Sequence, residues 1–234
     1  MATKKRLVVL TGAGMSAESG LAVFRGSNGL WSGYRIEDVA TPEGWARNPQ
    51  QVLDFYNARR SELLTVKPNE GHKGLAALER DFDVCIITQN VDNLHEQAGS
   101  SHIIHLHGEL MKVRSSCDEN LIYDVSPEHL DTQLGDLCEK GSQLRPHIVW
   151  FGEAVPHIEP AIEEVERADI FVVIGTSLNV YPAAGLLRYV PNGVPVFLID
   201  PNPVNDVSGR VTQVIQKGAS EGVKILTEAL QAYK

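Results

Sequence analysis

Five short apolar runs, at residues 7–10, 84–87, 148–151, 170–174 and 196–199, constrain the fold of this chain more than any other feature. A strand with one wet face alternates apolar and polar side chains. These runs are continuous, so they predict strands covered on both faces, as in a parallel sheet between helical layers. Helical periodicity fills the intervals. Ile158, Ala161, Ile162 and Val165 fall at i, i+3, i+4 and i+7 with Glu159, Glu163, Glu164 and Glu166 on the other face, and Val223, Leu226 and Leu230 mark a closing helix. The expected class is α/β: a Rossmann-like parallel sheet with helices on both faces, plus a smaller module made from two insertions.

Residues 1–234 are expected to form one domain, with 1–33, 71–110 and 147–234 building the Rossmann-like part. Residues 34–70 are helical in pattern and carry no strand, and 111–146 are polar and rich in turn residues, so both read as insertions. A net charge of −9, with no basic run longer than Lys4-Lys5-Arg6, argues against nucleic acid as a partner. The apolar run at 7–10 is too short for a signal-peptide core or a membrane span. Three cysteines, Cys85, Cys117 and Cys138, make no disulfide framework. These features predict a cytoplasmic monomer in a reducing compartment.

The first run opens into Gly12-Ala13-Gly14-Met15-Ser16-Ala17. This G-x-G-x-x-A pattern permits a tight turn and close approach of backbone to a pyrophosphate at a helix N-terminus, or serves as a strand-to-helix turn with no nucleotide. A dehydrogenase would next show a second strand ending in a ribose-binding acid; here Glu37 and Asp38 follow no apolar strand, so hydride transfer is disfavoured. Past the 84–87 run, Gln89, Asn90, Val91 and Asp92 gather at a strand end, where open α/β sheets bind ligands, although a capped polar loop would also explain them. In "HIIHLHGEL", His105 and His107 stand two apart in an extended run and are expected to share a face, with His107 placed as a base at the strand end. Gly175, Thr176 and Ser177 repeat the glycine turn after another run, and Asp200 and Asn202 follow a further one.

In combination, "GAGMSAESGLAVFRG", "TQNVDNLHEQAG", "HLHGEL", "PHIVWFGE", "GTSLNVYPAAG" and "LIDPNP" resemble the sirtuins, NAD-dependent protein deacylases, over residues 7–219. The resemblance implies that NAD is consumed as a co-substrate, which accounts for the absent ribose-binding acid, and that residues 22–34 form a loop over the nicotinamide ribose. By resemblance, Gly12, Ala13, Gly14 and Ser16 cradle the pyrophosphate, and Phe24 and Arg25 belong to the cofactor loop. Gln89 contacts the ribose, Asn90 the reacting ribose region and Asp92 the nicotinamide carboxamide. Gly175, Thr176 and Ser177 line the groove, with Asp200, Asn202 and Ala219 near the adenosine. His107 accepts a ribose hydroxyl proton, and the products are free lysine, nicotinamide and O-acyl-ADP-ribose. Val149, Trp150, Phe151 and Gly152 resemble the family's substrate strand, which takes an acylated-lysine protein by main-chain pairing.

Two stretches speak to specificity and to metal. Asn48 can cap a helix with Pro49 at its first position, and Val52, Phe55, Tyr56, Arg59 and Leu63 then share one face. Arg59 on that face either pairs with a nearby carboxylate or joins Tyr56 to recognise an acyl carboxylate. The Tyr-x-x-Arg spacing, with Ala40, resembles the sirtuins that remove malonyl and succinyl groups. Most sirtuins carry two Cys-x-x-Cys pairs for zinc, whereas this chain has only Cys117 and Cys138 there, and neither His129 nor Asp136 stands at a supporting spacing. A metal-free module held by packing is expected. The competing functions are a non-catalytic NAD or ADP-ribose sensor and a protein ADP-ribosyltransferase.

Overall fold

The computed structural model describes residues 3–22, 33–176, 178, 181–203 and 209–234. Phe24, Arg25 and Ser177, with most of the expected cofactor loop, lie outside them. In chain order the strands are β1 (Arg6–Thr11), β2 (Asp83–Thr88), β3 (Ile103–His105), β4 (Gly108–Ser115), β5 (Ile122–Asp124), β6 (Leu144–Ile148), β7 (Ile170–Ile174), β8 (Val196–Ile199) and β9 (Gln213–Ile215). The α-helices are α1 (Ile36–Val39), α2 (Pro42–Arg47), α3 (Pro49–Leu63), α4 (Glu70–Leu78), α5 (Leu94–Ala98), α6 (Ile158–Glu166) and α7 (Ala219–Ala229).

Six strands form one sheet in the order β3-β2-β1-β7-β8-β9, every neighbouring pair parallel. Its central strands bury both faces. On β1, Leu7 and Val9 enter one core with Leu75 and Leu78 of α4 and Val223 and Leu226 of α7, while Val8 and Leu10 enter another with Ala161 and Val165 of α6. This double burial is why the runs read as continuous. The short edge strands β3 and β9 carry partly exposed side chains and so gave no such run.

The run at 148–151 belongs elsewhere, which corrects the sequence reading. The pairing strand is β6, an edge of the antiparallel sheet β5-β4-β6, and it ends at Ile148. Pro146 lies on that edge, where its missing N–H is tolerated. Beyond it the apolar side chains diverge: Ile148 and Trp150 are buried, whereas Phe151 is 43% exposed. The antiparallel sheet thus spans Gly108 to Ile148, slightly wider than the expected module at 111–146.

The helical insertion packs on this small sheet through a third core containing Val52, Phe55, Tyr56 and Leu63 of α3 with Leu110, Ile148 and Trp150. Pro49 opens α3 and the Asn48 side chain accepts from the Gln51 amide at 3.2 Å, as the sequence predicted. The buried arginine of α3 is not the expected one. Arg60 is fully buried, its Nε donating to the Leu110 carbonyl at 2.9 Å and its Nη1 to Asn57 Oδ1 at 2.9 Å and Thr132 Oγ1 at 3.0 Å. Arg59 lies half-buried at the rim. Among the described residues, no helix is long and apolar enough to cross a membrane.

Arg60 therefore ties α3 to β4 and to the loop before β6. Arg60→Met should destabilise the protein by roughly 3 kcal/mol, because it strands buried acceptors without donors. Equilibrium denaturation measures it, and a loss below about 1 kcal/mol would show that the network contributes little.

Candidate active site

Strand register brings the candidate residues to one edge. Thr11, Thr88 and His105 are aligned across β1, β2 and β3, and Thr11 is aligned with Ile174 and Ile199 on the other side. The next residues are therefore Gly12, Gln89, Gly175 and Asp200, all past C-terminal strand ends. The boundary between β1 and β7 is where connections turn to opposite sides of the sheet, the usual ligand crevice of an open α/β sheet.

At that boundary two glycine turns touch main chain to main chain. The Gly12 amide donates to the Ile174 carbonyl at 3.0 Å and the Gly14 amide to the Gly175 carbonyl at 2.9 Å. A Cβ on Gly14 would lie 2.6 Å from Gly175 Cα, and one on Gly175, whose φ is +61°, would run into the Met15 amide. With the Met15 and Ser16 amides bonded to the Gly12 and Ala13 carbonyls, four of the amides in the turn are thus engaged inside the protein. What Gly12 and Gly14 offer a ligand is an approach without side chains. The expected helix behind the turn is also corrected: residues Ala13–Met15 and Ala17–Ser19 form single 3-10 turns, the second closed by Gly20 at φ +101°.

Under the turn lies a buried polar network. Ser16 Oγ donates to Asp92 Oδ2 at 2.9 Å and accepts from Asn90 Nδ2 at 3.2 Å, and Asp92 Oδ1 also accepts the Leu94 amide at 3.1 Å. Burial raises the Asp92 carboxyl above its ordinary range, opposed by those two hydrogen bonds. Gln89 Nε2 donates to Thr176 Oγ1 at 3.0 Å, joining the β2 loop to the β7 turn. The main-chain oxygen of Val91 accepts from the Leu110 amide at 2.8 Å, anchoring the loop to β4.

His105 and His107 do not share a face of one strand. His105 ends β3 and His107 sits in the turn before β4, because the backbone must reverse at Gly108, with φ +83°, to enter the second sheet. Their Nδ1 atoms nevertheless meet consecutive carbonyls: His107 that of Gln89 at 3.0 Å, His105 that of Asn90 at 3.2 Å. A carbonyl only accepts, so each Nδ1 carries the proton. For His107 burial lowers the pKa, leaving a neutral ring with an unprotonated Nε2. For His105 burial acts in the same direction but is outweighed by the Glu96 carboxylate, 2.6 Å from Nε2, and this ring is held above its ordinary value. Two histidines separated by one residue are thus shifted in opposite directions.

The remaining candidates are more dispersed. Asp200 Oδ1 accepts from the Asn202 amide at 2.8 Å in a local turn. Ala219 is 3% exposed against α4, and the Glu18 carboxylate accepts the Ser220 amide at 3.2 Å, so the start of α7 already carries an acid. The amides of Val149, Trp150 and Phe151 are engaged by the His107 carbonyl, Glu153 Oε2 and the Ala40 carbonyl. The Tyr56 hydroxyl accepts from Trp150 Nε1 at 3.1 Å, while Arg59, one turn on, pairs with Glu62 at 3.2 Å with its guanidinium 5.4 Å from the Phe55 ring. Burial keeps the Tyr56 phenol protonated.

Sequence reasoning missed the support beneath the site. Thr11 Oγ1 donates to Thr88 Oγ1 at 2.8 Å and meets His95 Nε2 at 3.1 Å, while His72 Nε2 lies 3.5 Å from Ser16 Oγ. The signal available was Asn69-x-x-His72, a capping box in which the Asn69 amide donates to His72 Nδ1, leaving Nε2 to face Ser16. A second missed group is Glu153, which accepts from Arg145 at 2.7 Å and from Arg114 at 3.3 Å, while the Arg145 guanidinium stacks 3.3 Å over Trp150.

The donor set suits a dinucleotide: side-chain amides, a carboxylate, a hydroxyl and a neutral imidazole around an unobstructed glycine turn. The two cysteines do not suit the zinc site of the resemblance. Among the described residues the groups of three or more ligating side chains are Cys85, His102 and Glu164, and Glu96, His105 and Glu109, and neither includes Cys117 or Cys138.

The Sir2 family model matches residues 12–182. An NAD-dependent protein deacylase of Bacteroides thetaiotaomicron is 62% identical over 229 residues, covering 97% of this chain and 98% of that protein, and one of Helicobacter pylori is 52% identical over 226 residues, covering 97% of each. Among solved structures, a Sir2 homologue in complex with NAD is 40% identical with a TM-score of 0.85, covering 98% of this chain and 91% of that one. A Sir2 complex with a p53 peptide and NAD+ is 30% identical with a TM-score of 0.79, covering 98% and 95%.

The buried histidines set a pH dependence. Burial lowers His72 and His147 to about 4 and His95 well below its ordinary value, so the unfolded chain takes up their protons first. Stability from these groups is fully present above the unfolded value of about 6.5 and falls with acid, by up to about 1.4 kcal/mol per pH unit for each group. His105 acts oppositely. Denaturation midpoints should therefore drop between about pH 6.5 and 5, above the carboxylate range, and a flat profile there would contradict the neutral assignments.

Proposed function

The chain belongs to the Sir2 family, the sirtuins, and from that premise we propose that it is an NAD-dependent protein-lysine deacylase with His107 as general base. The observation that carries this reading is the His107 ring itself. Its Nδ1–H is fixed on the Gln89 carbonyl, at the start of the loop that carries Asn90 and Asp92, and its Nε2 is left unprotonated. A binding module needs no such base.

NAD, when bound, supplies an electrophilic ribose carbon and nicotinamide as its leaving group. The glycine turns at Gly12–Ser16 and at Gly175 and Thr176 would carry its phosphates and ribose, with Phe24, Arg25 and Ser177 completing the groove. Gln89, held by Thr176, would orient the ribose. Asn90 would face the reacting region, and Asp92, positioned by Ser16 and Leu94, would accept from the nicotinamide carboxamide. His107 Nε2 would take a ribose hydroxyl proton, and a lowered pKa keeps that lone pair available at neutral pH. Asp200, Asn202 and the backbone of Ala219 are assigned to the adenosine end. An acylated peptide would pair with main chain around Val149, Trp150, Phe151 and Gly152, on the segment that Glu153 braces.

The acyl preference follows from α3. We assign Tyr56 and Arg59 to recognition of a terminal carboxylate, making succinyl- and malonyl-lysine substrates alongside acetyl-lysine. Arg59 would exchange its ion pair with Glu62 for the acyl carboxylate. Tyr56, anchored through Trp150, keeps a hydroxyl proton to donate.

Matched acetyl-lysine and succinyl-lysine peptides, incubated with protein and NAD and read by mass spectrometry, test both claims. His107→Ala should remove acyl loss while NAD still binds, and ADP-ribose left on the peptide would indicate a transferase instead. In the wild type kcat/KM should fall on the acid side only below about pH 6.5, the ordinary imidazole value. Arg59→Met should lower succinyl turnover by roughly 10- to 100-fold, about 1.5 to 3 kcal/mol, and spare acetyl turnover. Equal losses on both would defeat the acidic-acyl assignment.

A further inference from the structure

The small sheet holds two thiols whose placement the deacylase reading does not use. Cys117 follows β4 and is exposed, while Cys138 lies in the loop before β6 and is 7% exposed. Both sulfurs converge on one hydroxyl. Cys138 Sγ donates to Ser115 Oγ at 3.2 Å, and Cys117 Sγ lies 3.3 Å from the same oxygen. The two sulfurs are therefore no farther apart than the sum of those distances.

The surrounding backbone keeps them there. Ser115 Oγ also accepts the Cys117 amide at 3.1 Å, which folds the Cys117 loop back over the end of β4. Cys138 closes its own turn, its amide donating to the Ser142 carbonyl and its carbonyl accepting the Gly141 amide, each at 2.8 Å. Lys140 of that turn pairs with Asp118 of the other loop at 2.7 Å, so an ammonium group bridges the loops beside both sulfurs. No histidine, aspartate or glutamate joins these sulfurs in a ligating group among the described residues, which leaves sulfur–sulfur chemistry as the one this pair supports.

We propose that Cys117 and Cys138 form a redox-responsive pair that closes to an intrachain disulfide, joining the two loops of the small sheet. With a peroxide as oxidant, exposed Cys117 is taken to the sulfenic acid while the peroxide is reduced to water. The Cys138 thiolate then attacks the Cys117 sulfur, forming the S–S bond and expelling the sulfenic oxygen as a second water once protonated. The hydrogen bond with Ser115, then those of its turn and of Cys117, hold the Cys138 thiol below its ordinary value and favour the attacking form. Cys85 is the internal control. It is fully buried between β-sheet and helix, and burial pushes its thiol up to about 12.

The test treats the full chain with hydrogen peroxide, then counts thiols in denaturant and maps unreduced peptides by mass spectrometry. Two of the three thiols should disappear, with the Cys117 and Cys138 peptides linked and lighter by two hydrogens, and with Cys85 intact. The thermal midpoint should rise by several degrees and return on reduction, because the bond closes a loop of 20 intervening residues in the unfolded chain. Cys117→Ser and Cys138→Ser should each abolish the linkage and the shift. Retention of all thiols, oxidation of Cys117 with Cys138 left free, links only between chains, or stoichiometric zinc held by the two sulfurs would each overturn the proposal. None of these readouts depends on deacylase activity.

Discussion

The contact between the two glycine turns at the ends of β1 and β7 is the constraint on which the rest of the site depends. Parallel strands lie close enough that turns at adjacent ends collide unless one or both lack side chains. Here Gly12, Gly14 and Gly175 let the backbones meet and bond, so the turn after β1 is anchored by the turn after β7 as well as by its own strand. That anchoring fixes Ser16, and Ser16 in turn fixes Asp92 and Asn90. A crevice walled by main chain and floored by a satisfied polar network needs little rearrangement to receive a ligand.

The network also explains how two histidines two residues apart acquire different chemistry. Both are buried and both give Nδ1–H to a carbonyl of the same loop. Only His105 has a carboxylate at its other nitrogen, and the charge it gains there binds α5 to β3. His107 has no such partner among the described residues and stays neutral, which suits a group that must take a proton. Opposite roles thus arise from one neighbouring acid.

The small sheet is more than an appendage to this site. Glu153 binds Arg145, Arg114 and the Trp150 amide at once, and Trp150 reaches across to Tyr56 of the helical insertion. The segment assigned to the substrate is therefore braced from both insertions, with Arg60 tying them together beneath. Changes in the loops of the small sheet have a short structural route to that segment through Ser115, Arg114 and Glu153.

Much of the fold was legible in the sequence, because burial on both faces writes itself as unbroken apolar runs. The runs at 7–10, 84–87, 170–174 and 196–199 became β1, β2, β7 and β8, and the periodic stretches became α6 and α7. The run at 148–151 misled because four apolar letters do not say whether their side chains point the same way; β3 was legible only as an extended stretch before His107, and β9 was invisible because edge strands need little apolar surface. Likewise the helical period placed Arg59 and Arg60 within one step of each other, too close to decide which would be buried.

The sequence by itself determined the class of fold, the glycine turns and the residue types gathered at strand ends, since these follow from local pattern and chain order. Only the tertiary structure decided which glycine amides are already bonded, which histidine is charged, which arginine is buried and that two distant cysteines meet one serine. Those properties belong to pairs of groups far apart in the chain, and a pattern along one dimension carries no distance between them.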